Sequence, residues 1–142
     1  MGFFSNLFAT KEIKEVLSVL DTFRSDISQS FGKSLEASSV ADKLYDECRK
    51  QVLSQSDKIT ESIRNGSVSA RRVCLNAMKK NVEQNVVSGE NHIYRGVLSD
   101  WGRVYFDFYK WVLLKFKEDG IITEGIMREE IRSVEDDVKE VG

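Results

Sequence analysis

Not one proline interrupts the 142 residues of this chain. At average usage, about 5%, roughly seven would be present. Proline lacks the amide hydrogen and clashes with the preceding turn, so it breaks helix interiors. A chain without it is free to be built from long helices and short connections. The glycine-marked breaks at Gly32, Asn65-Gly66, Ser88-Gly89 and Gly120 divide the sequence into five amphipathic segments. Glycine just past a helix end adopts the left-handed conformation at little cost, which suits each break to a helix stop.

Hydrophobic periodicity places the helices at 10–31, 36–64, 68–87, 92–118 and 124–140. In the first, Ile13, Val16, Leu17, Leu20, Phe23, Ile27 and Phe31 recur every three or four residues and share one face. The second carries Val40, Leu44, Cys48, Val52, Ile59 and Ile63, but Ser54–Lys58 is wholly polar, so its middle is either exposed or bent. The third has a narrow stripe of Val68, Leu75, Met78, Val82 and Val86. The fifth has Met127, Ile131, Val134, Val138 and Val141 at coiled-coil spacing. Helix starts are expected at Ser39-x-x-Asp42, Ser67 and Asn91, and at Thr123 with Ile122 and Met127 as a hydrophobic staple.

The fourth segment stands apart. Eight of the 14 aromatic residues lie between Tyr94 and Phe116. Its apolar positions cover an arc far wider than the roughly 100° of a surface helix, so it must be packed on several sides. The expected fold is a single all-α domain over 1–142, an antiparallel bundle of four or five helices around this aromatic-rich helix. Trp101, Tyr105, Phe108 and Val112 are expected at the centre of that core.

Composition is that of an ordinary globular chain, with 41% hydrophobic and 31% charged residues and a net charge of −2. The charge is uneven. Residues 118–142 hold nine acids and three bases, whereas 1–117 hold 14 acids and 18 bases. No run approaches the about 20 apolar residues that a bilayer-spanning helix needs. Residues 1–8 contain no basic side chain, so a secretory signal is not expected and a cytoplasmic location is.

Catalytic chemistry has little to stand on. The single histidine, His92, falls at an expected helix start and reads as a capping or surface residue. Di-iron bundles use Glu-x-x-His on two helices, and here the matching position holds Gly89. Cys48 and Cys74 form no Cys-x-x-Cys or Cys/His cluster, so neither a zinc site nor another metal or cofactor is expected. Two features remain as candidate binding surfaces. Phe3, Phe4, Leu7 and Phe8 make an apolar cluster within residues 1–9, followed by Lys11 and Lys14, suited to a partner groove or the inner face of a membrane. Arg64, Arg71, Arg72, Lys79 and Lys80 form a basic patch suited to phosphates. The function expected is a non-enzymatic interaction, regulatory or assembly module. Its partners would be another protein, a second copy through the third or fifth segment, or a membrane surface through the N-terminal cluster. Nucleic acid ranks last, because the chain is acidic overall and has no recognition-helix motif.

Overall fold

In the computed structural model, residues 9–31, 34–87, 93–94 and 97–140 are described. They form an all-α bundle: α1 (Lys11–Phe31), α2 (Leu35–Ser54), α3 (Ser56–Arg64), α4 (Ala70–Val87), α5 (Asp100–Glu118) and α6 (Glu124–Glu140). A two-residue antiparallel ladder, β1 (Ile93–Tyr94) with β2 (Val97–Leu98), precedes α5.

Five of the six helices begin at a serine or threonine whose hydroxyl accepts an amide hydrogen three residues on. The pairs are Thr10 with Ile13 at 3.2 Å, Ser34 with Ala37 at 3.0 Å, Ser69 with Arg72 at 3.1 Å, Ser99 with Gly102 at 3.1 Å, and Thr123 with Ile126 at 3.2 Å. Each satisfies one of the orphan donors of a first turn. Thr123 is the cap expected, and Ile122 and Met127 are both half-buried against the core. Ser39 is not a cap, because α2 has already begun at Ser34. Ser67 is not one either: its amide and hydroxyl both donate to the Asn65 side chain in the turn before α4. Asn91, Gly32 and Gly89 lie outside the described residues. Replacing Ser99 with alanine should lower stability by about 1 kcal/mol in urea denaturation, the usual loss for a removed N-cap.

Gly66 and Gly120 terminate α3 and α5 with φ of +79° and +73°. At Gly120, the Ile121 amide donates to the Phe116 carbonyl and the Gly120 amide to the Lys117 carbonyl, both at 2.9 Å. At Gly66, Ser67 donates to Ser62 and Gly66 to Ile63 in the same pattern. These are Schellman closures, which use up the last free carbonyls.

Two expected segments are corrected. The helix drawn over 36–64 is two helices, broken at Gln55 within the polar stretch Ser54–Lys58. With no apolar side chain to bury there, the chain turns, and α3 packs across the start of α1. The Thr60 and Thr10 hydroxyls are bonded at 2.8 Å, and Arg64 pairs with Glu12 at 3.1 Å. The helix drawn over 92–118 starts only at Asp100. The sequence Ile93-Tyr94-Arg95-Gly96-Val97-Leu98 places β-branched and aromatic residues around a glycine, which disfavours helix, and Ser99 then supplies the cap.

The core is built around α5, which packs most extensively on α4 and also on α2 and α6. Tyr105, Phe108, Tyr109, Trp111, Val112, Leu113 and Phe116 are buried. From α1, Phe23 meets Trp111 edge-on at 5.7 Å and Phe31 meets Phe108 at 4.9 Å between ring centroids. Trp101 does not share this burial. It lies in the first turn of α5 and is 40% exposed, so the expectation that it sits at the centre is overturned.

Candidate functional site

Folding gives three of the five side chains of the basic patch, Arg64, Arg71 and Lys79, a carboxylate partner. Arg64 is paired with Glu12, whose carboxyl the guanidinium holds below the usual carboxylate range. Arg71 reaches Asp119 at the end of α5 and lies over the Phe23 ring at 5.2 Å. Arg72 lies over Phe116 at 5.4 Å and donates to the Asn76 side chain at 3.1 Å. Lys79 stands between Glu83 at 3.9 Å and Glu130 at 3.6 Å. These contacts tie α4 to α1, α5 and α6, and Lys80 stays exposed on α4.

Phe3, Phe4, Leu7 and Phe8, and also His92, lie outside the described residues. Cys48 and Cys74 are both free and buried between α1, α2 and α4. Burial pushes each thiol up to about 12, which keeps them protonated and unreactive at neutral pH. Cys74 donates to the Val16 carbonyl at 3.1 Å, and Cys48 accepts from Asn81 at 3.6 Å. Among the described residues, no group of three or more His, Cys, Asp and Glu side chains is placed to hold a metal ion. No helix among them is long and apolar enough to cross a membrane.

The narrow stripes of the third and fifth segments are consumed inside the chain. Leu75, Met78 and Val82 of α4 and Val134 and Val138 of α6 are buried in the common core. Val68, Met127 and Ile131 of the same stripes are half-buried, and the side chains of Val86 and Val141 lie outside the described residues. A single α-helix period cannot distinguish a stripe that faces a neighbour in the same chain from one that faces another chain.

What the fold leaves open is different. Among the described residues, the large apolar side chains exposed to solvent are Leu35 (75%), Ile126 (43%), Trp101 (40%) and Leu114 (39%). Leu35 and Trp101 belong to one end of the bundle. Leu35 starts α2 just after Phe31, and Phe31 packs on Phe108, two turns along α5 from Trp101. The cue available in the sequence was Ser99, which as an N-cap places Trp101 at a helix start rather than mid-helix.

The second open feature is a cleft of about 660 Å³ between α4 and α6. Asn76, Lys79, Lys80, Glu83 and Gln84 form one wall, Glu130, Ser133, Val134 and Asp137 the other, and Tyr109 of α5 the floor. Tyr109 is buried, and its hydroxyl donates to Glu130 at 3.4 Å. Burial, with the charges of Glu130 and Glu83, raises its phenol above the ordinary value, so it remains a neutral donor.

No protein-family model matches this chain, and no curated protein and no solved structure matches it either.

Proposed function

We propose that the protein is a non-catalytic helical module that works by protein–protein contact, with the end of the bundle around Trp101 as its partner-facing surface. The observation that carries this reading is the 40% exposure of Trp101 on a capped, well-formed first turn of α5. A tryptophan carries on the order of 150–250 Å² of buriable surface, and tryptophan is enriched among the few residues that dominate binding energy. Leu35 adds a second exposed apolar side chain at the same end. Both are presented from the first turn of a capped helix, which reduces the ordering cost of docking.

The test is site-specific photo-cross-linking in native cells, with the cross-linker placed at position 101 in one variant and at the exposed Leu114 in another. Position 101 should yield a discrete protein adduct that Leu35→Glu abolishes while the melting temperature is unchanged. Equal or absent adducts at both positions would refute the assignment. The other docking reading, through Phe3, Phe4, Leu7 and Phe8, makes the opposite prediction. Vesicle flotation would then be lost on removal of residues 1–9 and be insensitive to Trp101→Ala.

A further inference from the structure

We propose that α6 is a hinged arm: it undocks from α4 and α5 as one unit while the other helices stay folded, and its closure covers the Tyr109 phenol and holds Lys79. This concerns a different surface from the Trp101 end, so either reading can fail alone.

α6 is held by little apolar surface. Among the described residues, Val134 and Val138 are its buried side chains, with Met127 and Ile131 half-buried. α1, by contrast, buries Ile13, Val16, Leu17, Leu20, Phe23 and Ile27. Stabilisation by apolar burial scales with area, so α6 is fastened far more weakly than α1. Its polar fastening is long as well. The Glu130 carboxylate lies 3.6 Å from the Lys79 ammonium and 3.4 Å from the Tyr109 hydroxyl, both beyond the roughly 2.5–3.2 Å of a well-formed hydrogen bond. The cleft of about 660 Å³ then separates much of α6 from α4. Interdigitated side chains make neighbouring helices open together, and a cleft of this size weakens that coupling.

Both sides of the hinge are complete without the docked arm. α5 ends in its own closure at Gly120, and Arg71 of α4 holds Asp119. α6 starts at its own cap, Thr123, and carries an internal pair, Arg128 with Glu124 at 2.9 Å. Between them, Gly120 has a φ of +73° and open space where a side chain would stand. Rotation there moves α6 without disturbing the end of α5. Opening frees Lys79 from Glu130 and uncovers Tyr109, so that surface is presented only in the open state.

The test is native-state hydrogen exchange on the full-length protein, read residue by residue. An undocked helix of this length is marginal in water, so opening of the arm exchanges its amides. Amides of 128–138 should share one level of protection and exchange at least about tenfold faster than the slowest amides of α1 and α5, after correction for intrinsic rates. Val40→Ala separates the two openings. Val40 is buried in α2, and the arm-open state keeps its surroundings intact. The variant should speed the slowest amides of α1 and α5 by about tenfold or more and leave those of α6 unchanged. Val134→Ala should speed both sets alike, because both openings break its contacts. If α6 amides are as protected as the slowest core amides, or if Val40→Ala speeds them equally, α6 belongs to the global unit and the proposal fails. It also fails if rates rise smoothly toward residue 140 and ignore Val134→Ala, which is fraying of a helix end rather than movement of an arm.

Discussion

Trp111→Ala should destabilise the protein by about 3–5 kcal/mol, whereas Trp101→Ala should cost less than about 1 kcal/mol. The two tryptophans are ten residues apart on one helix, yet only Trp111 is enclosed. Its ring meets the edge of Phe23 from α1, and the Lys115 ammonium lies 5.1 Å from its centre. Removing it deletes an aromatic contact and leaves a cavity that rigid helices can close only in part. A domain of this size has roughly 5–15 kcal/mol of total stability, so the variant would lose a large share of it. At roughly 2–4 °C per kcal/mol, its melting temperature should fall by about 6–20 °C. Urea unfolding followed by helical circular dichroism measures both variants without relying on tryptophan emission. Similar losses for the two would mean that the start of α5 is packed by something the present assignment omits.

Phe108→Ala should be as damaging, again about 3–5 kcal/mol, with Phe108→Leu held to about 1.5 kcal/mol. Phe108 is fully buried, and the Phe31 ring lies 4.9 Å from it, where the end of α1 meets α5. The leucine variant keeps most of the volume and tests whether the loss comes from the void rather than from the ring. Both should unfold with an unchanged denaturant slope, since the surface exposed on unfolding is nearly the same. An alanine variant within about 1 kcal/mol of the wild type would show that this joint is loosely packed.

Which features were readable before folding follows from how far each one reaches along the chain. Helix content depends on backbone sterics, so the absence of proline and the three- and four-residue periods of Ile13–Phe31 revealed it. The Schellman ends at Gly66 and Gly120 and the cap at Thr123 involve residues within six positions of each other, and they were readable for the same reason. The breadth of the apolar arc in α5 likewise implied neighbours on several sides, which α1, α2, α4 and α6 provide. Tertiary structure decided the rest. Trp101 and Trp111 carry the same ring, and only the placement of α1 against the middle of α5 buries one and leaves the other at the rim. Arg64, Arg71, Arg72 and Lys79 are neighbours in sequence, but their counter-charges and ring partners arrive from Glu12, Asp119, Phe23, Phe116 and Glu130, up to 52 residues away. The α4–α6 cleft was invisible for the same physical reason. Lys79, Tyr109 and Glu130 meet only because two helices run antiparallel to α5 on adjoining sides, and a pattern along one helix records which face is apolar, not which element will cover it.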